Sequence, residues 1–225
     1  IAREGVEYSI ESRTIAVGGQ LLTFRTPKDT YEDIFLPLHG KHQASNAAAA
    51  LVAVEAFFGH QELDYEAVLA GFANVQSPGR CEVLHRDPTI IIDAAHNPHG
   101  ARALAETIQN EFTFDEVIGI FAAMGDKDVQ GALVELEKVM DSIIVTKNSS
   151  TRSMAVAEVE AIATKIFGVE RVFAAETLDT AIEKAIKDSV RPLSEDTLGI
   201  LITGSVVTVG EARTIVRKRF AKEDA

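Results

Sequence analysis

Residues 77–101 read SPGRCEVLHRDPTIIIDAAHNPHGA, and this stretch decides the fold. Within it, Thr89–Ile92 is β-branched and apolar throughout, which is typical of a strand buried on both faces. Asp93 ends this run, and a helix is predicted to follow, with Asn97 as its N-cap and Pro98 in its first position. Ligands of open α/β sheets bind beyond the carboxyl ends of the strands, and free N–H groups at a helix start favour an anion. The stretch therefore predicts a ligand site that follows this strand.

Strands and helices alternate regularly after residue 78. The predicted strands span residues 81–85, 89–93, 116–122, 142–146, 171–173 and 199–203. The predicted helices span residues 97–110, 128–140, 155–167, 178–189 and 206–220. Alternation at these lengths indicates parallel pairing with right-handed crossovers. The predicted fold class is therefore α/β, with a Rossmann-like three-layer C-terminal domain built around a mostly parallel sheet.

The preceding part of the chain has a different pattern. Partly alternating runs separated by turn signals predict a β-meander within residues 1–38. Two helices, the first of them rich in alanine, are predicted at 41–58 and 64–72. A cluster of polar turn residues separates this part from the next, so we predict two domains, 1–76 and 77–225.

Composition and charge exclude several classes of function. The 225 residues carry a formal net charge of −12 with a pI near 5.0, which argues against a nucleic-acid-binding surface but not against a nucleotide site. Cys81 is the single cysteine and is interpreted as a small buried strand residue, so a disulfide-free protein of the reducing cytoplasm is expected. We find no apolar run long enough to span a membrane and no signal peptide. Because the chain starts at Ile1 without an initiator methionine, we expect a fragment or a processed chain.

Three polar residues surround the predicted strand end. Arg80 follows Pro78-Gly79, and its planar guanidinium matches a phosphate or a carboxylate. Asp93 would be isolated at the end of a buried strand unless it binds something. His96 lies in the following turn, where it can donate to a phosphate oxygen or to a developing negative charge. Each has a structural alternative, as a surface cation, a helix-capping acid and a turn histidine, but the three together favour a site.

Two other strand ends are expected at the same edge of the sheet. They carry MGDKD at 124–128 and TGS at 203–205, each with a glycine that allows close approach of the backbone. Lys127 is either a substrate cation or part of a loop in which Asp128 starts the next helix, and the sequence leaves both open.

Further signals are weaker. Asn46 lies near the start of an alanine-rich helix, where its amide suits recognition of a base edge, although a local bond from its side chain to the backbone is the simpler explanation. His39, His42 and His60 lack a set of metal-ligand partners, so metal binding there is not expected. Neither the G-x-G-x-x-G fingerprint nor a G-x-x-x-x-G-K-[ST] loop occurs, which argues against an ordinary dinucleotide binder and against a self-contained P-loop NTPase.

Four segments together resemble one family: GKHQASNAA at 40–48, SPGR at 77–80, DAAHNPHG at 93–100 and TGS at 203–205. Their order and spacing are similar to those of folylpolyglutamate synthase/dihydrofolate synthase, in the Mur-ligase superfamily, and most like actinobacterial members. The resemblance implies that residues 1–76 end a P-loop ATPase domain and that a complete Rossmann-like C-terminal domain follows. The phosphate-binding loop, the magnesium ligands and the carbamylated lysine of the family are missing, so the isolated chain is expected to be inactive.

The resemblance also implies an activity for the full-length parent, which would bind ATP and Mg²⁺. ATP phosphorylates a carboxylate of folate or dihydropteroate, and the amine of L-glutamate attacks the acyl phosphate and expels phosphate. By family match Asn46 contacts adenine, Arg80 binds phosphate, and Asp93 makes a ribose or water-mediated contact. His96 is the catalytic candidate, near the γ-phosphate and the acyl phosphate. Such a site would assemble from both domains, with the missing ATPase domain as its other partner.

Three alternatives stay open at this point. Another Mur-superfamily ligase would join an amino acid to a cell-wall precursor or to another carboxylate. A stand-alone nucleotide-binding module without catalysis would also lack a phosphate loop. A nicotinamide oxidoreductase is a poor match because the glycine fingerprint is absent. Whether the parent makes dihydrofolate, extends folates or does both is not indicated by these residues.

Overall fold

The computed structural model describes residues 1–59, 61–189 and 197–221. It divides the chain into two compact units, Ile1–Pro78 and Gly79–Ala225. This division lies two residues beyond the boundary predicted from the polar turn cluster. Each unit has a hydrophobic core of its own, so each is a separate folded body.

The first unit is a three-stranded antiparallel sheet followed by two helices. Its elements are β1 (Ser9–Ala16), β2 (Gly19–Arg25), β3 (Thr30–Leu36), α1 (Lys41–Phe57) and α2 (Tyr65–Ala73). The sheet order β1-β2-β3 confirms the predicted meander. Asp64 caps α2 by accepting a hydrogen bond from the backbone N–H of Ala67 at 2.9 Å.

The core of this unit lies between one face of the sheet and one face of α1. Alternate residues of β2, Leu22 and Phe24, are buried, and so are Ala44 and Leu51 of α1. This follows from the two-residue period of a strand and the helical period of α1. Asn46 lies on α1 outside the buried face and is exposed.

The second unit alternates strands and helices. Its strands are β4 (Glu82–Arg86), β5 (Thr89–Ile92), β6 (Glu116–Phe121), β7 (Ser142–Val145), β8 (Val172–Ala174) and β9 (Leu198–Thr203). Its helices are α3 (Pro98–Glu111), α4 (Val129–Leu136), α5 (Val156–Phe167), α6 (Leu178–Ser189) and α7 (Val206–Phe220). The predicted elements are therefore present, with most ends shifted by one residue. The exception is α4, which was predicted to reach residue 140 and ends at Leu136.

The strands form one sheet in the order β4-β5-β9-β6-β7-β8. Only β4 pairs antiparallel, in a hairpin with β5, and the other described pairs are parallel. Among the described helices, none is long and apolar enough to cross a membrane.

Both faces of the sheet are covered by helices. Ile91 of β5 belongs to a cluster with residues of α3, α4 and α5, whereas Ile90 and Ile92 belong to a cluster with residues of α6 and α7. The continuous isoleucine run thus reflects burial on both sides, as predicted. The α/β fold class, with three layers and a mostly parallel sheet, is confirmed.

The position of β9 brings distant strand ends together. Because β9 lies between β5 and β6, the carboxyl ends of these three strands are neighbours. Hydrogen bonds join the segments beyond them: Gly204 N–H donates to Ala95 O at 3.2 Å, and Ala122 N–H to Thr203 O at 3.2 Å. The candidate residues that follow these strands therefore share one edge.

Candidate functional site

Asp93 is buried, with 7% of its surface exposed, and both of its carboxylate oxygens are engaged. Oδ2 accepts a hydrogen bond from Cys81 N–H and Oδ1 accepts one from Ala95 N–H, each at 2.8 Å. The prediction that Asp93 would be isolated without a ligand is therefore wrong, because the backbone supplies two donors. Burial raises the pKa of Asp93, while these hydrogen bonds and the charges of Arg80 and His96 oppose the rise.

Arg80 lies in a turn that Asp93 helps to hold. The flanking residues Gly79 and Cys81 both have left-handed backbone, with φ of +74° and +45°. Gly79 O accepts a hydrogen bond from Ala94 N–H at 2.8 Å, so the turn is tied to the end of β5 on both sides of Arg80. The Arg80 side chain is exposed and makes no hydrogen bond or ion pair with the described residues. The turn thus presents an available cation on a fixed backbone.

Glycine is required at position 79 for two reasons. Its positive φ disfavours a residue with a side chain. In addition, a Cβ placed there would lie 2.6 Å from Cγ1 of Val209 on α7. The Pro-Gly-Arg sequence therefore forms a turn and also brings the backbone of Gly79 close to the side chain of Val209 on α7.

His96 is partly buried in the turn after β5. Its Nδ1 lies 3.0 Å from Ala94 O, and since a carbonyl oxygen only accepts, Nδ1 carries the proton of this hydrogen bond. Nε2 has no partner among the described residues. A neutral ring would accept a proton at Nε2, and a charged ring would donate from it. The ring of His96 is thus held through Nδ1, and Nε2 is left for another contact.

The start of α3 follows the sequence prediction, with one consequence for anion binding. Asn97 caps the helix by accepting from Gly100 N–H at 2.8 Å, and Pro98 occupies the first turn. The alternative in which Asp93 caps this helix is therefore excluded. Because Pro98 has no N–H and the Gly100 N–H is taken by Asn97, this helix start offers an anion fewer free donors than expected.

The loop after β6 holds its charged residues in mutual contacts. Asp126 pairs with Lys127 at 3.3 Å and with Arg152 at 2.9 Å. Asp128 accepts from Gly131 N–H at 2.8 Å and caps α4. The structural interpretation of this loop is confirmed, and Lys127 already has a counterion.

A polar cluster beyond β7 was missed from the sequence. Asn148 is 5% exposed, and its Nδ2 donates to Ser205 Oγ at 3.2 Å and to Thr208 Oγ1 at 3.0 Å. Ser205, the last residue of the T-G-S segment, caps α7 by accepting from Thr208 N–H at 3.1 Å. The strand-end rule that singled out Asp93 applies equally to Asn148 and would have found it.

Asn46 belongs to the first unit and has only a local contact. Its Nδ2 donates to Gln43 Oε1 at 3.3 Å, one helical turn earlier. The alternative of a bond from its side chain to the backbone is therefore not what the structure contains. The amide oxygen of Asn46 has no partner among the described residues.

A metal site is not apparent in the described parts of the chain, where no three His, Cys, Asp or Glu side chains are arranged to hold an ion. His60, one of the three histidines considered from the sequence, lies outside the described residues. The candidate site of the second unit thus consists of Arg80, Asp93 and His96, and Asn46 is a separate candidate in the first unit.

Residues 79–206 match the family model for Mur ligase, glutamate ligase domain. This segment is more than half of the chain and contains Arg80, Asp93, His96 and the T-G-S segment.

Individual relatives agree with the family match. The chain is 49% identical over 226 aligned residues to the dihydrofolate synthase/folylpolyglutamate synthase of Mycobacterium tuberculosis, covering 96% of this chain and 46% of the relative. A crystal structure of M. tuberculosis folylpolyglutamate synthase complexed with ADP and AMPPCP is similar with a TM-score of 0.91 and 50% identity, over 96% of this chain and 49% of that one. Escherichia coli FolC in complex with DHPP and ADP is similar with a TM-score of 0.79 and 25% identity, over 96% of this chain and 47% of that one.

The coverage is unequal on the two sides of these comparisons. The chain spans about half the length of the M. tuberculosis relative that it matches. The similarity to an actinobacterial relative agrees with the expectation from the sequence motifs.

Proposed function

Because the chain belongs to the Mur ligase family, through the glutamate ligase domain that residues 79–206 match, we propose that its parent protein is an ATP-dependent ligase that adds L-glutamate to a folate. The names of the similar proteins support this substrate class, since they are folylpolyglutamate synthases and dihydrofolate synthases. The parent would thus extend tetrahydrofolate polyglutamates, and the test below decides whether it also makes dihydrofolate from dihydropteroate. The reaction proceeds through an acyl phosphate that the amine of glutamate attacks. The chain alone is proposed to be inactive, with residues 1–76 ending the ATPase domain.

The observation that carries the proposal is the unpaired guanidinium of Arg80 on an immobilised turn. A planar fork of donors binds phosphate oxygens well, and fixing its backbone in advance reduces the entropy lost on binding. ADP or AMPPCP is present in the structures of similar proteins. We assign Arg80 to a phosphate of ATP.

The other candidate residues are assigned by their chemistry. Asp93 uses one lone pair on each oxygen for backbone N–H groups, which leaves others for a ribose hydroxyl or a water. Asn46 retains an unpartnered amide oxygen for the adenine. These assignments come from the resemblance to the family, and the free acceptor capacity of both side chains is compatible with them.

His96 is the residue that we assign to the reacting phosphoryl group. Because Nδ1 is held by Ala94 O, Nε2 is the atom that reaches the ligand. As an imidazolium it would donate to a phosphoryl oxygen, and such donors stabilise the charge that develops during phosphoryl and acyl transfer.

Magnesium is proposed to be held by another part of the parent. The described residues do not provide a cluster of ligands that fits Mg²⁺, which prefers carboxylates and water in octahedral geometry. No step is therefore assigned to a metal on this chain. A cytoplasmic parent is proposed, since Cys81 is buried and free.

The test is an activity profile of the parent protein. ATP-dependent addition of L-glutamate is measured with tetrahydrofolate, with dihydropteroate and with a nucleotide-linked cell-wall precursor as acceptors. We expect turnover with one or both pterin acceptors and none with the cell-wall precursor. Turnover with the cell-wall precursor alone would favour another ligase of the superfamily, and ATP binding without any transfer would favour a non-catalytic module.

A further inference from the structure

Glu82 connects the Arg80 turn to α7. Its Oε2 accepts a hydrogen bond from Gly79 N–H at 2.9 Å. Its Oε1 accepts from Nε of Arg213 at 2.9 Å and from Nη2 of Arg217 at 3.3 Å. One carboxylate thus joins two arginines of α7 to the residue that precedes Arg80. We propose that Glu82 is a positioning residue that sets the Arg80 guanidinium for binding the phosphates of ATP.

This carboxylate adds a restraint to the first half of the turn, beside the hydrogen bond that Gly79 O accepts from Ala94. On the β5 side it is held by Asp93 through Cys81 N–H and by Ala94 through Gly79 O. Glu82 accepts a hydrogen bond from the N–H of Gly79, and this bond joins the two ends of the turn. Without it, Gly79 would lose the hydrogen bond of its N–H, and the left-handed conformation before Arg80 would lose a restraint.

The helix on the other side of Glu82 is firmly anchored. Thr208 Oγ1 of α7 donates to Ala122 O at 2.7 Å, which ties the helix start to the segment after β6. Ala212 and Val216 are fully buried beneath the sheet. Arg213 therefore projects from a rigid element, and the Glu82 side chain is 19% exposed in its ion pair. A partly buried pair with a fixed partner is screened less by solvent than an exposed one.

The charge arrangement explains why Arg80 stays available. Two arginines already satisfy Glu82, and Asp93 is satisfied by backbone donors. Neither carboxylate makes an ion pair with Arg80 within the described residues. The neighbouring acids thus hold the turn without forming an ion pair with Arg80 within the described residues.

The inference rests on the proposed function, in which Arg80 binds a phosphate of ATP, and a double-mutant cycle tests it. ATP affinity of the full-length parent is measured by calorimetry for wild type, Glu82→Ala, Arg80→Ala and the double variant. We expect Glu82→Ala to weaken ATP binding about tenfold, as for one lost charged hydrogen bond. In the Arg80→Ala background the same change should have almost no further effect, because Glu82 acts through Arg80.

Glu135→Ala is the matched control, since Glu135 also accepts from two cations, Arg102 and Lys138, near the far end of α4. It should leave ATP affinity unchanged. Glu82→Gln keeps an acceptor for Gly79 N–H and should weaken binding less than Glu82→Ala, and it serves if the alanine variant does not fold. Equal losses from Glu82→Ala with and without Arg80, or unchanged affinity in both Glu82 variants, would overturn the proposal.

The affinity measurement separates this inference from the proposed function. If the parent binds ATP but transfers no glutamate, the ligase proposal fails while the coupling of Glu82 to Arg80 is still decided by the cycle. If the parent transfers glutamate and the cycle is additive, the ligase proposal stands and the role of Glu82 is wrong. A parent that binds no ATP would overturn both.

Discussion

Two segments at one edge of the second unit's sheet each carry a cation, and the two cations are held differently. In the turn of residues 78–81, hydrogen bonds restrain the backbone and Arg80 has no ion pair within the described chain. In the loop of residues 124–128, Lys127 shares the carboxylate of Asp126 with Arg152. Both segments contain a glycine and a cation at the same edge of the sheet.

The comparison shows that a cation near a sheet edge is not by itself a binding site. A ligand phosphate at Lys127 would compete with Asp126, whereas one at Arg80 would break no ion pair of the described residues. The acids around Arg80 accept from backbone N–H groups or from other arginines, so they organise the turn rather than pair with it. The following predictions test this distinction, beginning with the largest effect.

Removing the Asp93 carboxylate should have the largest effect. Asp93→Ala leaves two buried N–H groups, of Cys81 and Ala95, without acceptors, at a cost of about 3 kcal/mol in the free energy of unfolding. Urea denaturation of this chain at pH 7 measures it. Asp126→Ala, which removes an exposed carboxylate from the contrasting loop, should have a much smaller effect, because solvent screens its ion pairs. Equal losses in the two variants would remove the distinction between the segments.

The pH dependence of the same site has a definite sign. Burial raises the pKa of Asp93 in the folded state above its unfolded value, so the folded protein binds the proton more tightly. The stability of wild type relative to Asp93→Asn should therefore be highest below about pH 4 and decrease as the pH rises through the folded pKa. Urea denaturation of both proteins, recorded at about ten pH values between pH 3 and 8, measures this difference in the free energy of unfolding. A difference that increases with pH would contradict the assignment.

Arg80→Ala should reduce kcat/KM for ATP in the parent about 100-fold, because a bidentate charged contact to phosphate is lost. Steady-state kinetics of glutamate addition measures the change. Arg86→Ala is the control, since Arg86 is an exposed arginine at the end of β4. Near-normal turnover of Arg80→Ala would show that the unpaired guanidinium does not contact the nucleotide.

Gly79→Ala tests whether the turn requires its backbone geometry. The alanine would have to keep the positive φ of residue 79, and its Cβ would clash with Val209. The variant should therefore lose about 2 kcal/mol in the free energy of unfolding. Measured against Val209→Ala alone, which has its own cavity cost, the same change should lose only the conformational part. Gly210→Ala on α7, where a Cβ meets nothing within 4 Å, is expected to be neutral or stabilising. Thermal denaturation of wild type, the three single variants and the double variant separates the steric contribution to stability from the conformational one.

Lys127→Ala should have the smallest effect on catalysis. Because its ammonium is paired with Asp126, we expect kcat/KM for ATP and for glutamate in the parent to change less than about threefold. A loss comparable to that of Arg80→Ala would make Lys127 a substrate cation after all.

Much of the second unit could be predicted because its signals are local. The isoleucine run of β5, the Asn97-Pro98 helix start and the Asp128 cap each depend on residues a few positions apart, and all three are confirmed. The predicted end of α4 was wrong: the helix ends at Leu136 and residues 137–139 are turns, beyond which Met140 packs against Gly119 of β6, a contact between distant segments.

The sequence predicted which residues form the candidate site, but it did not predict their hydrogen bonds and ion pairs. Arg80, Asp93 and His96 lie within one short stretch, so their proximity follows from the chain. The ion pairs of Glu82 and the buried position of Asn148 could not be anticipated, since each depends on a helix that comes from elsewhere in the sequence.

Hydrophobic periodicity and capping residues act over a few positions, and they were sufficient to predict the meander, the alternating α/β unit and the strand end at which candidate residues gather. Which cation remains available there depends on the pairing of Asp126 with Arg152 and of Glu82 with Arg213 and Arg217. These pairs join segments far apart in the chain, so only the packing of helices and strands brings their charges within reach. Charge compensation acts through space, and the tertiary structure therefore decides it.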